Sequence, residues 1–311
     1  MSTTAPAVLF DHVSKWYGTV IGLNELSVAI SGGVTGLLGL NGAGKSTFLK
    51  LIVGRLKPSK GTVRLFGIDP WRNTAPFARV GYCPETERMY DWMTAYQFVA
   101  TFGRLYGYRR SEAEGRAEMV LDLVGLTDVM HRTVGTYSKG MRQRVKIAHA
   151  LVNEPDLLIL DEPLHGCDPI ARTVIMDVIR RLGNEGRTII VTSHILAEIE
   201  RITEQILILH NGRLLALGNI HAIRNLLDKH PHRIRIGVER PRDLITHFTD
   251  HGSIIGFDIE NEALVLRTQQ LDSVHADLPG VLLKCGQEVQ SIDNPDDNLE
   301  AVIGYLVEGR R

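Results

Sequence analysis

Up to about residue 220 the chain alternates short apolar runs with longer segments of helical period. Val34 to Leu38, Leu157 to Leu160, Ile189 to Thr192 and Gln205 to Leu209 carry almost no polar alternation, the pattern of strands covered on both faces. Lys45 to Val53, Arg142 to Val152 and Ala171 to Leu182 lie between them with apolar residues at helical spacing, so an α/β layered core is expected. The first sixty residues are richer in glycine and alternation, which predicts an antiparallel edge sheet. From Thr86 to Thr136 the pattern is nearly all helical, and Tyr90, Trp92, Tyr96, Phe98, Phe102, Tyr106 and Tyr108 concentrate there. Tyr96, Val99, Phe102 and Tyr106 fall at helical spacing and predict a small helical core; a partner-docking face sharing some of these aromatics is the alternative.

Beyond about residue 230 the character changes. His232 to Val238 reads as a strand, Pro241 to His251 as a helix with proline near its first turn, and Ile254 to Ile259 with Ala263 to Arg267 as a hairpin around Glu260-Asn261-Glu262. A helix over Leu271 to Leu278 and one or two strands within Val281 to Ile292 complete the order βαββαβ of a small split-βαβ module. Asp297 and Glu300 resemble a capping box opening a last helix through Val307. The expected organisation is a core domain over 1–220 with a helical subdomain at about 86–136, a linker over 221–231, and a small α+β domain over 232–311.

Composition narrows the function classes. Hydrophobic residues at 44% and charged residues at 23% exclude a disordered or fibrous chain. Lys plus Arg number 35 against 36 Asp plus Glu, so no global positive field holds nucleic acid, and none is expected as a partner. Cys83, Cys167 and Cys285 are odd in number and far apart, which points to a reducing cytoplasm. The N-terminus lacks a signal-peptide pattern, and no run reaches the ~18 apolar residues that would span a bilayer. His247 and His251 lie four apart on the expected helix with Asp250 between them; no third metal ligand accompanies them, and a solvated face is the better reading. The same holds for the locally basic stretch Lys229 to Arg242, where a lipid-headgroup contact is the alternative.

The chemistry is concentrated in two motifs. Gly39-Leu40-Asn41-Gly42-Ala43-Gly44-Lys45-Ser46-Thr47 matches G-x-x-x-x-G-K-[ST], placed between an apolar strand and a helix. Its glycines let backbone N–H groups turn inward around a phosphate, and the helix adds its positive end. Lys45 would reach the β and γ phosphates, and Ser46 would offer a hydroxyl to Mg²⁺. Leu157 to Leu160 followed by Asp161-Glu162 puts two carboxylates at the end of a strand, where Asp161 can hold Mg²⁺ through water and Glu162 can polarise an attacking water.

Further segments complete a set. Tyr137-Ser138-Lys139-Gly140-Met141-Arg142-Gln143-Arg144 looks like an ABC signature motif, Gly166-Cys167-Asp168-Pro169 like a D-loop, and His194 like the switch histidine. Tyr82-Cys83-Pro84-Glu85 stands at the Q-loop, and Tyr17 in Trp16-Tyr17-Gly18 at the aromatic that stacks on adenine, with Trp16 the alternative ring. Over about residues 8 to 220, with every motif in the order expected of the family, the sequence resembles the ATP-binding subunit of an ABC transporter, with the drug-export-like ABC-2 branch nearest in its signature and C-terminal extension.

The resemblance implies a P-loop NTPase core of ABC type with antiparallel β and helical subdomains. It implies ATP and Mg²⁺ as ligands, with Tyr17, Asn41, Gly42, Ala43, Gly44, Lys45, Ser46, Thr47 and Glu85 at the nucleotide and Ser46, Asp161 and Glu85 at the metal. Glu162, His194 and Lys45 are the expected catalytic residues. Ser138 and Gly140 would bind the γ-phosphate held by an opposite subunit, and Asp168 would line the seam. A homodimer, or a heterodimer with a second such ATPase, and an integral membrane permease follow as partners, with the chain peripheral on the cytoplasmic face of the cell membrane. A soluble switch using the same clamp on a cytoplasmic partner is the rival. Glu85 in place of glutamine adds negative charge, Lys139 and Met141 depart from the usual signature, and His165 and Cys167 depart around the D-loop, which bears on coupling between sites.

Overall fold

In a computed structural model, which describes residues 5–86, 89–220, 232–248, 252–260, 263–293, 303–304 and 306–307, the chain separates into units Met1–Asn219 and Ile220–Arg311. In the first unit β1 (Val8–Tyr17) and β2 (Val20–Ile30) pair antiparallel, and β3 (Gly33–Leu38) runs into the loop that opens α1 (Lys45–Ile52). β4 (Lys60–Leu65) returns to the other side of β1, giving a three-stranded edge sheet of order β2-β1-β4. β5 (Val80–Cys83) is followed by α2 (Ala95–Leu105), α3 (Arg110–Leu123) and α4 (Lys139–Leu151). β6 (Leu157–Leu160), α5 (Pro169–Asn184), β7 (Thr188–Thr192), α6 (Leu196–Glu200), β8 (Gln205–His210) and β9 (Arg213–Asn219) complete the unit.

The central sheet has the order β5-β6-β7-β3-β8-β9, parallel through β8 and closed by antiparallel β9. Every residue of β6 and β7 is buried, which is why these strands read as unbroken apolar runs. Parallel pairing brings the carboxyl ends of β3, β5, β6 and β7 to one edge of the sheet, and the segments that follow those strands meet there. The edge sheet and α1 share a core in which the Phe10 and Phe48 rings stack with centroids 4.5 Å apart.

The helical region forms its core one step around α2 from the expected stripe. Phe98 and Val99 are buried, Tyr96 and Phe102 only partly, and Tyr106 is 44% exposed. The reason is close packing on α3: a Cβ at Gly103 would lie 3.1 Å from that of Ala113, so small residues set the contact face and turn the larger aromatics outward. Thr94 and Gln97 close the start of α2 as a capping box.

In the second unit β10 (His232–Val238), α7 (Pro241–Ile245), β11 (Ile254–Glu260), β12 (Ala263–Thr268), α8 (Leu271–Cys285) and β13 (Val289–Asp293) follow in the order βαββαβ. They build an antiparallel sheet β11-β12-β10-β13 over a core that includes Ile234, Ile236, Leu244, Phe248, Leu264, Leu266 and Val274. Two expected boundaries move. α7 stops at Ile245 rather than running to His251, because the Thr246 hydroxyl takes the carbonyl of Asp243; His247 falls in the following turn. α8 continues through Pro279 to Cys285 and ends at left-handed Gly286, so the strand region beginning at Val281 shrinks to β13. Arg233 is held by Glu260 at 2.7 Å and Arg240 by Asp243 at 3.6 Å, which makes this part of the basic stretch a paired surface. The linker 221–231, Asp250, His251, and Asp297 and Glu300 lie outside the described residues.

Candidate nucleotide site

A cleft of about 570 Å³ opens at the shared edge of the parallel strands. Its floor is the loop from Leu40 to Thr47, including Asn41, Gly42, Ala43, Gly44, Lys45 and Ser46. Gly44 caps α1 at φ 109°, where its added Cβ would lie 2.8 Å from the carbonyl of Gly22, so no other residue fits there without strain. No side chain caps that helix, which leaves its first N–H groups directed at the cleft for an anion. The Lys45 ammonium donates to the carbonyls of Gly39 and Leu40. Tyr17 forms one wall of the cleft, with its hydroxyl 3.2 Å from that of Thr47. Trp16 is absent from the lining and instead carries the Lys60 ammonium over its ring.

The far wall is acidic. Glu85 follows β5, Asp161 and Glu162 follow β6, and His194 follows β7, all lining the same cleft. The Thr192 hydroxyl donates to Asp161 Oδ1 at 2.8 Å and accepts from the backbone N–H of Glu162 at 2.7 Å, fixing both carboxylates on one strand end. Glu162 holds φ at +49°, outside the ordinary range for a residue with a Cβ, and its Oε2 lies 3.0 Å from His194 Nδ1. Burial pushes the Asp161 carboxyl above the usual range, against the pull of the Thr192 hydrogen bond. Burial likewise raises Glu162, partly offset by His194. The same burial lowers Lys45, countered by Glu162, Asp161 and Glu85. Among the described residues Lys45 is the one lysine lining the cleft with these three carboxylates, and with the Ser46 hydroxyl the carboxylates form an oxygen donor set suited to a hard divalent ion.

Ser138, Gly140 and Asp168 do not join the cleft lining. Ser138 caps α4 by accepting from the N–H of Met141 at 3.2 Å, and Asp168 caps α5 by accepting from Ala171 at 2.9 Å. The two helix starts touch: a Cβ on Gly140 would approach Ala171 Cβ to 2.8 Å and the Asp168 carboxylate to 3.0 Å. The Lys139 side chain lies across Gly166, whose φ of +67° already favours glycine there. Its departure from the usual signature thus has a local role, covering the turn before Cys167 and Asp168.

Some residues of this region carry no motif signal. Thr192 organises the carboxylates, yet a threonine closing a buried strand reads as ordinary. Buried Glu198 accepts from Ser193 Oγ at 2.8 Å and pairs with Arg172 at 3.2 Å, and Arg172 donates to the carbonyl of Cys167 at 3.1 Å. That chain links the loop of His194 to the loop of Asp168. Lys146, also buried, donates to the carbonyl of Glu85 at 2.8 Å.

Comparison with known proteins gives the same picture. The ABC transporter family model matches residues 23–165. An ABC transporter ATP-binding protein of Synechocystis is 40% identical over 219 residues, 67% of this chain, and the match spans 62% of that relative's length. The Nod factor export ATP-binding protein I of Burkholderia lata is 37% identical over 217 residues, covering 69% of this chain and 71% of the relative. A solved ATP-binding cassette dimer in a post-hydrolysis state with ADP and phosphate superposes with a TM-score of 0.63 at 25% identity, over 68% of this chain and 98% of that one. The chain belongs to the ATP-binding proteins of ABC transporters and has the P-loop ATPase fold of their cassettes.

Proposed function

We propose that the chain hydrolyses ATP as half of a two-cassette engine that drives a separate membrane permease, working as an exporter from the cytoplasmic face. The observation that carries this reading is the separation of the P-loop cleft from Ser138 and Gly140 within one chain. One chain then supplies half of each site, and a second cassette, another copy or a paralogue, completes it.

ATP would sit with its base on Tyr17 and its phosphates in the loop from Asn41 to Thr47. Mg²⁺, held by Ser46, Asp161 and Glu85, would neutralise charge on the phosphates. Lys45 would leave the carbonyls of Gly39 and Leu40 for the β and γ phosphates. Glu162 polarises the attacking water, and His194, already at hydrogen-bond distance from Glu162, orients that carboxylate and senses the γ-phosphate. The start of α4 in the opposite cassette, with its capping Ser138, would face the same phosphate. Binding closes the pair; loss of the γ-phosphate removes the bridge.

The permease would dock where the helical subdomain meets the core sheet. A groove of about 380 Å³ there is lined by Arg55, Phe77, Tyr82, Pro84, Tyr106 and His149, directly before Glu85. Tyr90, Trp92 and Leu105 are exposed on the same subdomain, which supports the docking reading of its outward aromatics. Among the described residues no helix is long and apolar enough to cross a membrane, so transport requires a spanning partner. Export rests on likeness to the Nod factor export protein and names no cargo. The test is affinity purification of the tagged chain from gently solubilised membranes. A stoichiometric multi-span protein is expected; recovery with a cytoplasmic partner alone would refute the transporter assignment.

A further inference from the structure

Lys146 stands two turns after Ser138 on α4, between Val145 and Ile147, and is only 5% exposed. Burying an ammonium costs several kcal/mol unless specific partners replace its water. Among the described residues no carboxylate pairs with it; its hydrogen bond goes to the backbone carbonyl of Glu85, at 2.8 Å. One turn earlier on the same face, the Gln143 amide lies 3.7 Å from Cys83 Sγ, at the end of β5. Beside both runs a second cleft of about 780 Å³, lined in part by Lys139, Lys146, Glu85, Glu162 and His165, so the contact stands next to the reacting groups rather than in the remote core. An aliphatic residue would fill the position without the desolvation penalty. The lysine therefore serves the loop it holds.

We infer that Lys146 is a positioning residue for Glu85: its ammonium pins the loop bearing that carboxylate to the helix capped by Ser138. The carbonyl of Glu85 is taken by α4 while its side chain faces the nucleotide cleft. A displacement of α4 when Ser138 meets a partner's phosphate is then transmitted to the metal-facing carboxylate. The transmission rests on the function proposed above; the anchor itself does not.

The test uses the full-length protein without nucleotide, Lys146→Met, which keeps the stem and loses the donor, and Lys146→Arg, which keeps donors. A glutamate-specific protease reads the loop, with cleavage after Glu85 followed by mass spectrometry. Loss of a charged hydrogen bond is expected to speed that cleavage about tenfold in Lys146→Met, while Lys146→Arg stays within about twofold of wild type. Cleavage after Glu185, just past the end of α5, is expected to be unchanged. In a second arm, the Mg²⁺ concentration that half-saturates ATP binding should rise about threefold or more in Lys146→Met alone. If Lys146→Met does not fold, Lys146→Leu, which also lacks a donor, replaces it with the same expectations. Unchanged cleavage after Glu85, or equal acceleration at Glu85 and Glu185, would overturn the anchor. Wild-type protein that binds no ATP would overturn the nucleotide reading instead, leaving the protease arm to decide the role of Lys146.

Discussion

Glu162 combines a left-handed backbone, a carboxyl raised by burial and a hydrogen-bonded contact with His194, and each property bears on how it acts. A general base works only when deprotonated, so raising its pKa moves the acid limb of turnover upward. The limb should lie above that of an ordinary glutamate near ~4.3, and Glu162→Gln should abolish turnover; a pH–rate profile on wild type and a single-turnover assay on the variant check both. His194 favours the charged form of Glu162, so His194→Ala should raise the carboxyl further, as read by carbon NMR of labelled glutamate. His149 gives the opposite kind of titration. Burial against the paired Phe98 and Phe102 rings holds its ring at about 4, against 6.5 for the free side chain. The unfolded state then binds the extra proton, so the contribution to stability is full above pH 6.5 and falls as pH drops toward 4. His149→Phe should flatten the stability–pH curve over that window in urea titrations, and an equally steep curve would contradict the assignment. Of these residues, Glu162 and His194 stood out because a motif places them after apolar strands. His149 and Lys146 did not, since helical spacing marks a buried position without saying how a polar group there is satisfied.

Helices α4 and α5 begin against each other, and the contact is what makes Gly140 irreplaceable. Gly140→Ala would press on Ala171 and Asp168, costing about 1–3 kcal/mol by overpacking and tilting the Ser138 cap; a lowered melting temperature together with lost ATP-driven association is expected. The relay Ser193–Glu198–Arg172–Cys167 joins the loops carrying His194 and Asp168. Removing it with Arg172→Met should lower the Hill coefficient for ATP toward about 1 while leaving nucleotide affinity nearly intact; an unchanged coefficient would show that the relay carries no coupling. The buried strands were legible as apolar runs because both their faces are covered. The stripe on α2 misled because its core contact is set by Gly103, Ala113 and neighbouring small residues, and smallness leaves little trace in a hydrophobic pattern. α8 was cut short for a related reason: Pro279 reads as a stop, yet the helix continues to Gly286.

At the scale of the molecule, the first unit is proposed to work as half of a two-cassette machine. Its sheet delivers four functional segments to one edge, while Ser138 and Gly140 stand apart from the cleft they are proposed to complete in a partner. The resemblance implies that a lone chain leaves its site open; the fold adds that Ser138 and Gly140 lie outside the lining of the cleft that Glu85, Asp161, Glu162 and His194 share. The second unit is a four-stranded antiparallel module with its own core. The central claim is that the catalytic site is shared between two cassettes. It is tested most directly by light scattering of Glu162→Gln with ATP and Mg²⁺, beside the same protein carrying Ser138→Arg. The mass should rise from 34.6 kDa to twice that with ATP and stay at 34.6 kDa when Ser138 is replaced. A Ser138→Arg variant that dimerises as well as its Glu162→Gln parent would contradict the account.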